Sequence, residues 1–157
     1  LVMAFLSSMN ITGSALTAQQ LRLDVVSENV ANINTTRVEG GEGPYQRKMV
    51  VMEADGGRDT FRQALAQAAG NVPAQTYNLS QTGGVRVTQI AEDTSPFKLQ
   101  YDPSHPDANA DGYVEMPNVD LVKEITDAMA ATQAYSANVT AFNTLKTVAT
   151  RALDIGK

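Results

Sequence analysis

The distribution of helix-breaking residues constrains the fold of this 157-residue chain more than any other feature. All six prolines and nine of the eleven glycines lie between residues 37 and 117. In a helix interior a glycine costs about 1 kcal/mol and a proline about 3 kcal/mol relative to alanine. The sequence therefore predicts an N-terminal helical arm (residues 1–36), a non-helical middle domain (37–117) and a C-terminal helical arm (118–157).

Both arms carry apolar residues at heptad spacing. Every seventh residue from Met9 to Val30 is apolar in the first arm, and a similar series runs from Leu121 to Ala149 in the second, with polar interruptions in both arms. This pattern predicts helices that pack side by side. We predict an α+β fold in which the two arms form an antiparallel coiled-coil hairpin attached to a small β-rich domain.

The helical seams also predict an assembly interface. Solitary helices are only marginally stable in water, so arms of this length need packing partners, and many small seam residues allow close approach. We expect the asparagines of the seams to fix helix register and Tyr135 and Phe142 to be the large anchors. The predicted interface residues are Met9, Leu16, Leu23, Val26, Asn29, Val30, Asn32, Ile33, Leu121, Ile125, Tyr135, Asn138, Val139 and Phe142.

The middle domain contains short segments typical of strands. Strands are predicted at residues 45–52, 85–90, 97–101 and 113–116, the last two as a pair, and a short helix at 61–69. Residues 45–48, an aromatic beside two cations, are expected to form a solvated strand or a partner contact. Asn118 is the predicted cap of the second arm.

Composition argues against several function classes. Twelve Lys and Arg against seventeen Asp and Glu give a net charge of −5, which disfavours nucleic-acid binding and a polybasic membrane anchor. The chain has no cysteine and one histidine, His105, so thiol nucleophiles, zinc-thiolate sites and His-based triads are disfavoured. The absence of a long apolar run and of a basic n-region predicts neither membrane insertion nor a Sec signal peptide.

One segment has the spacing of a metal-binding loop. Residues 107–112 match the opening of a calcium-binding EF-hand loop, but Asn118 occupies the twelfth position, where that loop requires a bidentate glutamate. A tight turn explains these residues better. We therefore predict no catalytic, cofactor-binding or metal-binding residues and no enzyme activity.

Four segments resemble known proteins. Residues 14–36 (SALTAQQLRLDVVSENVANINTT) resemble the N-terminal signature of bacterial flagellar rod and hook proteins, and residues 134–146 (AYSANVTAFNTLK) resemble the matching C-terminal signature. Residues 40–48 (GGEGPYQRK) and 101–119 (YDPSHPDANADGYVEMPNV) are similar to the proximal rod members of this axial family. The four segments occur in the family's order along nearly the whole chain.

The resemblance implies a structural subunit of the periplasm-spanning, torque-transmitting basal-body rod, exported by the flagellar type III apparatus without a cleaved signal. It implies terminal helices in the inner tube of the axial structure and an outward-facing middle domain. The implied partners are copies of the chain, other rod proteins and the adaptor between rod and MS ring. The alternatives are another flagellar axial subunit or a soluble helical export adaptor. We expect the arms to be poorly ordered in the exported monomer and to become rigid on assembly.

Overall fold

The computed structural model describes residues 2–38, 40, 43–55 and 83–155. Within these residues, long helices begin and end the chain: α1 (Val2–Ala31) and α2 (Leu121–Ile155). Between them lie the strands β1 (Lys48–Ala54), β2 (Val85–Glu92), β3 (Lys98–Tyr101) and β4 (Tyr113–Met116). The prediction of an α+β fold with helical ends and a small β middle region is confirmed.

The strands form two small sheets. β1 pairs with β2, and β3 pairs antiparallel with β4, with Lys98 opposite Met116 and Tyr101 opposite Tyr113. The last three predicted strands are confirmed, whereas the first begins at Lys48 rather than at residue 45. The predicted helix at 61–69 lies outside the described residues.

The chain divides into two compact units, each of which contains parts of both helices. The first unit comprises Leu1–Ala18, Met52–Arg86 and Ala137–Lys157, and the second comprises Gln19–Val51 and Val87–Ser136. In the first unit, the hydroxyl of Ser14 on α1 accepts a hydrogen bond from the backbone N–H of Val85 at 3.1 Å. This bond ties α1 to the beginning of β2.

Apart from Tyr45, the second unit has a core of small apolar side chains. Its buried apolar residues are Val25, Val26, Tyr45, Val114, Val119 and Ala131. The largest fully buried side chain among the described residues is a carboxylate, that of Glu124. Polar contacts must therefore hold much of this unit together, since a buried charge without partners is strongly destabilising.

The prediction that Asn118 caps the C-terminal helix is wrong. Asp120, directly before α2, is the cap: its Oδ1 accepts hydrogen bonds from the N–H groups of Val122 at 2.9 Å and Lys123 at 3.5 Å. Asn118 lies too far upstream to reach these free amides. Its side chain instead accepts a hydrogen bond from the N–H of Arg47 at 2.8 Å.

Candidate assembly surface and buried polar cluster

Arg47 lies at the centre of a cluster of buried polar side chains in the second unit. It is 4% exposed, and its Nε donates a hydrogen bond at 2.6 Å to Oε1 of Glu124, which is 0% exposed. Its two terminal nitrogens lie 3.4 Å from Oδ2 of Asp93 and 3.4 Å from Oδ2 of Asp127. One guanidinium therefore joins the residue that follows β2 to the first turns of α2.

Asn29 of α1 extends these contacts to the other helix. It is 1% exposed, and its Nδ2 donates to Oε2 of Glu124 at 3.0 Å and to the carbonyl of Lys48 at 2.8 Å. Its Oδ1 accepts hydrogen bonds from the hydroxyl of Tyr45 and the N–H of Lys48, both at 2.9 Å. The buried polar cluster, as we name it, consists of Asn29, Tyr45, Arg47 and Glu124, which are buried, and of Asp93 and Asp127, which are partly buried.

The cluster also fixes the relative direction of the two helices within this unit. Arg22 of α1 donates a hydrogen bond to Oδ1 of Asp127 at 3.2 Å, whereas Asn29, later in α1, reaches Glu124, earlier in α2. Residues further along α1 thus contact residues further back along α2. The two helix segments therefore run antiparallel here, as predicted for the arms.

Helical and strand spacing explain why these side chains point inward together. Glu124, Asp127 and Ala131 are separated by three and four positions, so they share one face of α2. Tyr45 and Arg47 are buried on either side of the less buried Gln46 in the extended segment that leads into β1, so both point to the same side. Each element thus presents its polar groups to the same interior.

The environment shifts the pKa values of three cluster residues. Burial, together with the negative charges of Glu28 and Glu124, raises the pKa of Tyr45 to about 12. Burial alone would lower the pKa of Arg47, but its hydrogen bond to Glu124 and the nearby carboxylates outweigh burial and raise it. Hydrogen bonds from Ser95 lower the pKa of Asp93, with Arg47 adding to the effect.

The expectation that residues 45–48 form a solvated strand or a partner contact is wrong for Tyr45 and Arg47. Both are at least 95% buried, because each finds a hydrogen-bonding partner on one of the helices. The signal available in the sequence was a pair of carboxylates, Glu124 and Asp127, on the same helix face as Ala131. A carboxylate in that position calls for a buried cation, and Arg47 supplies it.

The structure places the predicted interface residues at three levels of exposure. Val26 and Asn29 are buried in the second unit, and Leu121 and Ile125 are exposed. The others are partly buried: Met9, Leu16, Leu23, Val30, Asn32, Ile33, Tyr135, Asn138, Val139 and Phe142. Asn29 makes its contact between helices inside one chain. Asn32 donates to the carbonyl of Glu28 at 2.9 Å, near the end of α1.

The outer face of α2 in the second unit is apolar and exposed. Leu121, Ile125 and Met129 recur every four residues, so they lie on one face, with Val122 beside them. Their exposed fractions are 45%, 48% and 63%, and that of Val122 is 74%. We call these four residues the α2 apolar stripe. An exposed row of large apolar side chains is typical of an interaction surface.

The loop before β4 is a turn, as predicted. Oδ1 of Asn109 accepts hydrogen bonds from the N–H groups of Asp111 at 3.0 Å and Tyr113 at 2.9 Å, and Gly112 has a φ of +80°. A hydrogen bond from Thr36 lowers the pKa of Asp107, assisted by Arg37. Among the described residues, no group of three or more His, Cys, Asp or Glu side chains is placed to hold a metal ion. None of the described helices is long and apolar enough to cross a membrane.

Family models match both ends of the chain. Residues 9–37 match a model described as "Flagella basal body rod protein". Residues 110–155 match one described as "Flagellar basal body rod FlgEFG protein C-terminal". The first match contains Asn29, and the second contains Glu124 and Asp127. The matched regions therefore supply the helix residues of the buried polar cluster.

Relatives match nearly the whole chain. The flagellar basal-body rod protein FlgC of Bacillus subtilis (strain 168) is 47% identical over 154 residues, covering 96% of this chain and 97% of the relative. FlgC of Borreliella burgdorferi is 40% identical, with 98% of each chain covered. FlgC of Salmonella typhimurium is 38% identical, covering 99% of this chain and 100% of the relative. The resemblance inferred from the four sequence segments is confirmed.

Proposed function

Because the chain belongs to the FlgC family of flagellar basal-body rod proteins, and is thus a structural subunit of the rod, we propose that it polymerises through its two terminal helices. The observation that carries this proposal is the α2 apolar stripe. A monomer gains nothing from four large apolar side chains in water, whereas burial of each in an interface contributes about 1.5–3 kcal/mol.

The buried polar cluster supports a division of labour along each helix. It holds residues 22–29 of α1 and 124–127 of α2 against the β region of the second unit. Beyond these anchors, Leu6, Val148 and Leu153 are 52%, 56% and 74% exposed. In our proposal the anchored segments are ordered in the monomer, and the outer segments become rigid when adjacent subunits cover them. Assembled, the arms form the coiled-coil inner tube.

The chain's place in the basal body fixes the class of its partners, which are other basal-body components and copies of itself. We propose that they include the other rod proteins and the adaptor between rod and MS ring. Export through the flagellar type III apparatus, without a cleaved signal, would deliver the chain to a periplasm-spanning rod. We propose that its role there is mechanical, the transmission of torque, and we assign it no enzymatic step. Its relatives are named as rod proteins, which agrees with a structural role.

Incorporation of a stripe variant into the rod tests the proposal. Met129→Glu places a charge in the exposed stripe, and Ala130→Glu places the same charge at the next exposed position, off the stripe. Each would be expressed in a flagellated strain without its own copy of the protein. We expect Met129→Glu to abolish rod assembly and motility, and Ala130→Glu to retain both.

Both variants should have the circular dichroism spectrum of the unchanged protein. This control shows that a loss of rod assembly is not caused by a loss of folding. Normal rod assembly with Met129→Glu would refute the proposed role of the stripe. A purified chain that binds one export component at fixed stoichiometry and is absent from isolated rods would favour an export adaptor instead.

A further inference from the structure

The apolar surface of the second unit continues from α2 onto the β3–β4 hairpin. A groove of about 640 Å³ is lined by Leu99 and Tyr101 of β3 and by Leu121 of the α2 apolar stripe, together with Ile33 and Met116. The two β3 side chains are two positions apart, so they share a face, and each is 65% exposed. The stripe and the hairpin therefore form one continuous surface, and they adjoin at Leu121.

The outer face of this hairpin is mainly aromatic and aliphatic, with one charged residue, Glu115, paired with Leu99. The face of such a sheet that is turned away from the core normally carries polar residues. Here Tyr101 packs edge-on against Tyr113 across the hairpin, with ring centroids 5.2 Å apart, and Tyr113 is itself 42% exposed. The inner face is supplied by Val114 of β4, which is 2% exposed. Exposed tyrosines beside aliphatic side chains are the composition that protein interfaces favour.

The area of this surface matches a protein partner. The hairpin–helix patch, as we call it, consists of Leu99, Tyr101, Leu121, Val122, Ile125 and Met129. From their exposed fractions, these side chains present roughly 700 Å², above the usual 300–600 Å² of the largest patch on a monomer. A standard interface buries about 800 Å² on each partner. The patch is therefore large enough for one specific protein contact.

We propose that a second copy of this chain occupies the groove between β3 and α2. The inference rests on the proposed function and deepens it, because it adds the β3–β4 hairpin to the surface through which copies meet. A rod built from subunits requires heterologous contacts, in which one face of a subunit receives a different face of the next. The ammonium of Lys98, the one charged residue among the described residues that line the groove, donates to the carbonyl of Val119 at 2.6 Å, so the groove offers a neighbouring copy apolar side chains rather than a free charge.

Crosslinking from inside the groove tests this proposal. A photoreactive benzoylphenylalanine replaces Leu99, and two differently tagged copies are expressed together in a flagellated strain without its own copy. Before irradiation, both tags should be found in purified basal bodies. This measurement tests the proposed function separately from the groove contact, because it reports only whether the chain enters the rod. After irradiation we expect a product that contains both tags. A product confined to one tag, or one formed with another basal-body protein alone, would overturn the inference.

A charge in the groove provides the second arm of the experiment. With the photoreactive residue at Tyr101, Leu99→Asp is expected to reduce the two-tag product about tenfold, the effect of losing one apolar contact. Gln89→Asp, at an exposed position of β2, is the matched control and should leave the yield unchanged. Both positions are exposed and neither substitution removes a buried group, so neither should affect folding. Equal yields of the two-tag product from the two variants would therefore overturn the inference.

Discussion

Replacing Glu124 by alanine removes the carboxylate that joins α2 to α1 and to the segment before β1. Two hydrogen bonds disappear, one from Arg47 at 2.6 Å and one from Asn29 at 3.0 Å. Removal of one partner of a buried ion pair typically costs about 3–5 kcal/mol. Since Arg47 keeps Asp93 and Asp127, each at 3.4 Å, we expect the lower end of this range, about 3 kcal/mol. That is a large part of the 5–15 kcal/mol that stabilises a typical domain.

Urea unfolding followed by circular dichroism measures this change. Glu115→Ala, at an exposed position of β4, is the matched control, and it should change the free energy of unfolding by less than about 0.5 kcal/mol. A Glu124→Ala variant as stable as this control would refute the role given to the cluster.

A double variant separates the loss of a charge from the loss of its partner. Arg47→Met combined with Glu124→Leu removes both charges of this buried pair. The loss of the contacts from Arg47 to Asp93 and Asp127 is common to the Arg47→Met single variant and the double variant, so it cancels in the comparison. We expect the double variant to be more stable, by at least about 2 kcal/mol, than the sum of the two single changes predicts. Additive effects would show that the two side chains are not coupled in the folded chain.

Three further predictions concern the second unit and its turns. Because the folded-state pKa of Tyr45 is about 12, above the usual 10, its contribution to stability is complete below pH 10 and is lost as the pH rises from 10 to 12; Tyr45→Phe should flatten this part of the stability profile measured by urea unfolding. The pKa of Asp93 is lowered in the folded chain, so this carboxylate stabilises the fold above about pH 4 and loses that contribution on acidification. Asp93→Asn should therefore make the free energy of unfolding less dependent on pH in acid. Gly112→Ala should lower the free energy of unfolding by about 1–2 kcal/mol, because φ is +80° and an added Cβ would lie 3.0 Å from the ring of Tyr101. Gly13→Ala, in a helix with open space around the new Cβ, should raise the free energy of unfolding by about 0.5–1 kcal/mol. Melting curves that show equal effects for the two variants would contradict this prediction.

Local patterns predicted both long helices and, to within about three residues, the start of each described strand. The clustering of prolines and glycines marked the ends of both helices to within a few residues, and period-two alternation located β2, β3 and β4. The cap of α2 was misplaced by two residues, because both Asn118 and Asp120 are good caps and only the helix start decides between them. Patterns of this kind report what the backbone prefers near each residue.

The buried polar cluster could not be predicted in the same way. Arg47 and Glu124 are 77 positions apart, and Arg22 and Asp127 are 105 positions apart, so no local pattern links them. A polar segment such as 45–48 is expected to face water unless its partners are known. The heptad series predicted the seams, but it could not show that Leu121 remains exposed, because exposure depends on which other element covers a helix face.

Hydrogen–deuterium exchange tests most directly whether the terminal helices depend on neighbouring subunits. It is measured by mass spectrometry on the dilute chain and on isolated rods. In the dilute chain we expect residues 6–18 and 137–154 to exchange at least tenfold faster than residues 22–31 and 121–136, and all four segments to be protected in rods. Equal and strong protection of all four segments in the dilute chain would contradict the account.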